Sequence, residues 1–199
     1  DHIRKKKYTQ RFENNLDTIQ PPTIKKSSSK PYTKVSWLPD YKRFGIEKLT
    51  PTMFQLFKKR TYDIAAVTDK QVAVKFNGNT LPIRTFEQYI NMYIGGKDET
   101  KRIFESPKGE RWEYAVCLSP VDEFTQISFV NGISTTRGGK HVDYILKQIT
   151  RKMQTYIEKK RKVKVKENTI KEQLMLFLNC VVENPSFDSQ SKESMNTPV

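Results

Sequence analysis

What is scarce in this chain narrows its chemistry before anything present is considered. Cysteine occurs only at 117 and 180 and histidine only at 2 and 141, among 199 residues. Neither cysteine has a second Cys or a His at ligand spacing, which argues against a zinc site. Each sits in an apolar stretch, so both read as reduced core residues and no metal is expected. No apolar run approaches the roughly 18 residues of a spanning helix, and no apolar signal region follows the N-terminal charges. The expectation is a soluble, intracellular protein without a membrane partner. Neither G-x-G-x-x-G nor P-loop spacing occurs, and no Ser/His/Asp grouping, close Cys/His pair or acidic cluster for paired metals can be placed. Acid is also in deficit. Asp and Glu number 22 against 36 Lys and Arg, a formal +14. An imbalance of that size favours a polyanionic partner, nucleic acid first and an anionic membrane surface second. The chain opens on Asp and closes on "NTPV", neither resembling a natural terminus, so a piece of a larger protein is expected.

What is present is enough apolar residue, 36%, for one ordinary domain or a small domain and part of another. Residues 1 to 31 are basic and Pro/Ser-rich and read as loop. "YTKVSWLPD" (32 to 40) alternates apolar and polar residues and predicts a half-buried strand. Thr50 and Pro51 suit an N-cap and first helical position, with Met53, Phe54, Phe57, Ile64 and Val67 as the apolar face of the helix they start. A boundary is placed near Asp69. Beyond it, "QVAVKFNGNTLPI" predicts a hairpin about Asn77-Gly78 and "TFEQYINMYI" a helix. "GGKDETKRIFESPKGE" (95 to 110) reads as an exposed loop, and "RWEYAVCLSP" and "TQISFVNGIST" as strands. Val142, Ile145, Ile149, Met153 and Tyr156 recur at helical spacing, and "LMLFLNCVV" (174 to 182), apolar on both faces, predicts a central strand. The order from residue 70 implies an α+β layer, a sheet with helices packed on one side.

"KKRKVKVK" (159 to 166), six of eight residues basic, lies past the long helix, where cations also suit the helix dipole. Such a run is about as often a solvated charged loop as a site. Between Arg137 and Lys166, however, 11 basic residues face only Asp143 and Glu158, a local +9. That concentration favours non-specific phosphate contacts to DNA. Gly138-Gly139, between a strand and a helix, is most simply a turn; an anion held by the helix start with Arg137 and Lys140 is the less favoured alternative. The polar triple Gln190, Ser191 and Lys192 closes the chain's last apolar run. By itself it reads as a wet loop, although a mobile lysine charge suits a terminal phosphate and a Gln amide can donate to a phosphate oxygen. Asp188 and Glu183 beside it read as solubilising carboxylates.

"QISFVNGISTTRGGKHVDYI", "FLNCVVENPSFDSQSKESM" and the basic stretch between them resemble the transducer region of eukaryotic-type DNA topoisomerase II, a type IIA enzyme of the GHKL ATPase superfamily. "YTQRFENN", "PYTKVSWLPDYKRF" and "KRTYDIAAVTDKQVAVKFNGNTLPI" extend the likeness over nearly the whole chain. The resemblance implies the C-terminal part of a GHKL ATPase domain at 1 to 68 and a ribosomal-protein-S5-domain-2-like transducer at 69 to 199, a mixed sheet with helices on one face. It further implies that Gln190, Ser191 and Lys192, standing where the family has Gln-Thr-Lys, reach the ATP phosphates, Lys192 acting catalytically on the γ-phosphate. Ser for Thr keeps the hydroxyl and loses a methyl. Lys159, Lys160, Arg161 and Lys162 occupy the place of the family's DNA-sensing loop. ATP and Mg2+ are implied as cofactors, held mainly by parts of the parent outside this chain, so that the fragment alone is expected to be inactive. Double-stranded DNA, the upstream ATPase region and a second copy of the parent at a dimeric N-gate are the implied partners, and the nucleus or a site of viral DNA replication the implied location. The alternative reading is a non-enzymatic S5-like nucleic-acid-binding module; another GHKL ATPase, of the mismatch-repair or chaperone kind, fits "SQSK" and "TTRGGKHVDY" poorly.

Overall fold

The computed structural model describes residues 1–107 and 111–199. The chain divides into two compact units, Asp1–Phe54 and Gln55–Val199. In the first, β1 (Lys6–Thr9) pairs antiparallel with β4 (Thr23–Lys26), enclosing a smaller ladder of β2 (Phe12–Glu13) and β3 (Thr18–Ile19). Residues 1 to 31, read from the sequence as loop, thus contain strands. Their pairing is thin: Lys6 lies opposite Lys26 and Lys7 opposite Lys25, and like charges in register weaken a ladder. No residue of this unit is buried. "YTKVSWLPD" is not a strand. No strand of the described residues pairs with it, and Val35, Trp37 and Leu38 stand 78%, 75% and 86% exposed. An alternating pattern states which side of a strand prefers burial, but a strand exists only where a neighbour takes up its N–H and C=O groups.

α1 (Pro51–Val67) starts where expected, Thr50 Oγ1 accepting from Met53 N at 3.2 Å. Its buried residues differ from those expected. Asp63, Ala65 and Ala66 face the core, Met53, Phe54 and Val67 are half-buried, and Phe57 and Ile64 face outward. The two small alanines let the helix lie close to its neighbours. Asp63 is buried with partners: Lys59 Nζ at 2.8 Å and the Tyr89 hydroxyl, which donates to it at 2.6 Å. Burial first, and then this bond to Asp63, hold the Tyr89 phenol protonated far above its ordinary range.

The second unit is built on a five-stranded sheet of β7 (Arg102–Glu105), β8 (Trp112–Leu118), β9 (Thr125–Val130), β10 (Ile133–Ser134) and β11 (Leu174–Cys180). Its order is β10-β9-β11-β8-β7, with β11 parallel to β9 and every other pair antiparallel. β11 is central, as its two-faced apolar sequence requires. β7 falls inside the stretch 95 to 110 read as an exposed loop: Arg102–Glu105 alternates in burial and pairs with β8, whereas 108–110 lie outside the described residues. The hairpin about Asn77 (φ 48°) and Gly78 (φ 81°) forms, with β5 (Lys75–Phe76) and β6 (Asn79–Thr80) shorter than predicted.

Helices cover both faces, not one. Met175 and Phe177 of β11, with Ala115, Cys117 and Phe129, pack against Ala65 and Ala66 of α1 and Phe86, Tyr89 and Ile90 of α2 (Phe86–Ile94). Leu174, Leu176 and Leu178, on the alternate face, pack against Val142, Leu146 and Ile149 of α3 (Lys140–Arg161) and Ile170 of α4 (Glu167–Glu172). The α+β class and the mixed sheet stand; the one-sided arrangement fails because a strand apolar on both faces needs cover on both. Along α3 the buried residues are His141, Val142, Leu146 and Thr150, and Tyr156, expected on the apolar face, is 63% exposed. Cys117 and Cys180 are free and buried, and burial pushes the Cys180 thiol up to about 12, so both act as small apolar residues. Among the described residues no helix is long and apolar enough to cross a membrane.

Candidate functional site

The segment after β11 folds into a closed loop. Phe187 and Met195 meet as an antiparallel bridge, and Asn196 N donates to Ser186 O at 2.9 Å. Within it, Asp188 N donates to Ser194 O and Ser194 N to Asp188 Oδ1, both at 3.1 Å. A turn closes from Lys192 N to Ser189 O at 3.1 Å, with the Ser189 and Ser191 hydroxyls 2.9 Å apart. Gln190 and Ser191 are exposed at the tip. Lys192 is half-buried, at φ 59°, its ammonium 5.7 Å from the centre of the Phe187 ring. Among the described residues no carboxylate lies within ion-pair distance of that ammonium. A cation resting on an aromatic face and unpaired with acid can be drawn to a phosphate without first breaking a salt bridge.

This loop is anchored at residues 137 to 140. Arg137 N donates to Glu193 O and Lys140 N to Met195 O, each at 2.9 Å, while Met195 N donates to Gly138 O at 3.1 Å. Arg137 Nη1 lies 3.4 Å from Asp188 Oδ2. The helix start is therefore not arranged to hold an anion: the Lys140 N–H and the Arg137 guanidinium are taken up by the loop itself. Asp188, read as a solubilising carboxylate, is instead an internal tie of the loop; Glu183 pairs with Arg111 at 2.6 Å. Met195, 1% exposed and packed with Val130 and Cys180, is the residue that sequence reasoning missed. Its only signal was a lone apolar side chain at the end of a polar run.

Beneath the anchor lies a buried polar chain. Thr135 Oγ1 donates to Ser128 O at 3.0 Å, so the contact of 3.0 Å between it and His141 Nε2 needs the histidine to donate. The imidazole is thus the Nε2–H tautomer. Its Nδ1 is buried without a partner. Burial pulls the His141 pKa down to about 4, against a smaller opposing pull from Asp143, so the ring is neutral at physiological pH.

The basic cluster lies at the other end of α3. Lys159, Lys160 and Arg161 are the last turn of the helix rather than a loop, and Lys162 closes it at φ 55°, its N–H donating to Glu158 O. All four are exposed, and none has an ion-pair partner among the described residues. The 22 residues of α3 separate the two regions, about 33 Å at 1.5 Å per residue. Among the described residues no three His, Cys, Asp or Glu side chains group as a metal site.

The family model described as DNA gyrase B matches residues 85–199. DNA topoisomerase 2 of Arabidopsis thaliana is 39% identical over 98% of this chain, which spans 14% of that relative's length. The ATPase region of Saccharomyces cerevisiae topoisomerase II superposes with a TM-score of 0.91 at 38% identity, covering 100% of this chain and 50% of that one. The ATPase and transducer domains of DNA topoisomerase II from Balamuthia mandrillaris superpose at 0.83 and 29% identity, covering 100% of this chain and 51% of that one. With more than half of its length matched, and its anchored lysine loop and basic helix end both inside the matched stretch, the chain belongs to the DNA gyrase B family.

Proposed function

We propose that this chain is the end of the ATPase domain (residues 1–68) and the transducer (69–199) of an ATP-dependent type II DNA topoisomerase, coupling ATP binding and hydrolysis to closure of a dimeric N-gate and passage of double-stranded DNA. The observation that carries this reading is a hydrogen-bonded loop, fixed to the sheet, that presents Lys192 without a carboxylate partner. ATP, when bound, supplies the phosphoryl group to be transferred. This chain's part is cationic and positional: the Lys192 ammonium stabilises charge on that group, and the Gln190 amide and Ser191 hydroxyl donate to or orient its oxygens. The donor set suits phosphate. It does not suit Mg2+, whose oxygen ligands belong to the upstream ATPase region.

Lys159, Lys160, Arg161 and Lys162 carry phosphate contacts to DNA at the far end of α3, sequence-independent and weakened by salt. A nucleus or a site of viral DNA replication is where such an activity would be needed. In the complete enzyme, Lys192→Ala is expected to lower ATP turnover by roughly 100-fold or more, with nucleotide binding still measurable; unchanged turnover overturns the assignment. Reversing charge at 159 to 162 is expected to abolish DNA stimulation of the ATPase while basal hydrolysis survives. Equal stimulation in both proteins removes the DNA contact from that helix end.

A further inference from the structure

We infer that the close contact between Gly139 and Met195 positions Lys192 and makes the start of α3 and the lysine loop one mechanical unit. This rests on the proposed contact between Lys192 and a nucleotide phosphate. The loop is polar and exposed at its tip, and Lys192 itself sits at φ 59°, a left-handed conformation that a free lysine abandons readily. Something outside the tip must hold it. Met195 is that anchor. Its side chain is buried against Val130 and Cys180, and its backbone is bonded in both directions, N–H to Gly138 and C=O from Lys140.

Lys140 is the first residue of α3, where N–H groups lack partners within the helix, and Gly139 before it provides no side-chain cap. A carbonyl of the lysine loop therefore caps the helix. The fit leaves no room: a Cβ on Gly139 would lie 2.3 Å from Met195 O and 2.5 Å from Met195 N, and φ there is 131°. Glycine is needed at 139 for the approach of the loop, beyond any need of the turn. His141 and Thr135 tie the same corner to Ser128 of β9. Lys192, three residues from Met195, hence has an origin fixed to the sheet and to α3. Because α3 is one unbroken helix, displacement at its basic end is delivered to this contact and so to Lys192.

The test is a double-mutant cycle on ATP turnover in the complete enzyme. Gly139→Ala is expected to lower kcat roughly 10- to 100-fold, as a misplacement of about 1 Å does, with KM for ATP within about threefold of wild type. Combined with Lys192→Ala it is expected to add almost no further loss, since the lysine it displaces is already gone. Met195→Leu should keep near-normal turnover and Met195→Ala should resemble Gly139→Ala. Losses from Gly139→Ala and Lys192→Ala that multiply, or a Gly139→Ala enzyme at wild-type kcat, overturn the positioning role. If Gly139→Ala does not fold, Asp188→Ala runs the same cycle, removing the acceptor of Ser194 N–H and the Arg137 pair without adding an atom. Full turnover in Lys192→Ala alone overturns the nucleotide reading instead, so the two failures are told apart.

Discussion

Residues 32 to 38 and residues 174 to 180 both carry the mark of a strand, and only the second is one. "YTKVSWL" alternates, yet Val35, Trp37 and Leu38 point into solvent. "LMLFLNC" is central in the sheet, with β8 on one edge and β9 on the other. The difference lies in the partners and not in local propensity. β11 has two ladders to complete and a helical layer on each face, whereas the stretch in the first unit has neither. Apolar side chains contribute stability only through area removed from water, and the first unit removes almost none.

The contrast sets the scale of effects in this chain. Phe177→Ala is expected to cost about 3–5 kcal/mol in denaturant unfolding, because it empties a fully buried site beside Tyr93 and Phe129. The next largest effect is one of pH. An unfolded His141 takes a proton near its ordinary value of 6.5 and the native one only near 4. Between those values the unfolded chain binds the extra proton, so stability falls as pH drops through the window, by up to roughly 3 kcal/mol, and is fully present above it. Unfolding midpoints of wild type and His141→Gln, compared at pH 7 and pH 5, should converge at the lower pH. Thr50→Ala removes the cap of α1 and should cost about 1 kcal/mol. Trp37→Ala should change stability by no more than about 0.5 kcal/mol. A loss above about 1 kcal/mol at Trp37 would break the contrast, since it would mean that the exposed stretch is packed in solution.

Elements governed by their own residues were legible. The Thr50-Pro51 start, the Asn77-Gly78 hairpin, the long amphipathic α3 and the central apolar strand all follow from local chemistry and are all present. What could not be read depends on distant parts of the chain. β7 is a strand because β8 offers it an edge, and Ile64 is exposed because the sheet lies on the side of Ala65 and Ala66. The candidate site divides in the same way. The basic residues and the polar triple stand out by composition, whereas the Met195 anchor, the Asp188 tie and the capping of α3 by a loop carbonyl require residues some fifty positions apart to meet.

The strand at the middle of the sheet is also its last to be synthesised. Until Leu174–Cys180 has left the ribosome, β8 and β9 each expose the edge that it will fill, and Ala115, Val116, Ile127 and Phe129 wait beside those edges. The nascent chain thus completes this layer late and through long-range pairing, a topology that folds slowly and leaves sticky strand margins open to other chains. A polypeptide stopped short of residue 174 would keep its helices and hairpins but lose the seam that joins them, and aggregation during translation is the fate such a truncation invites.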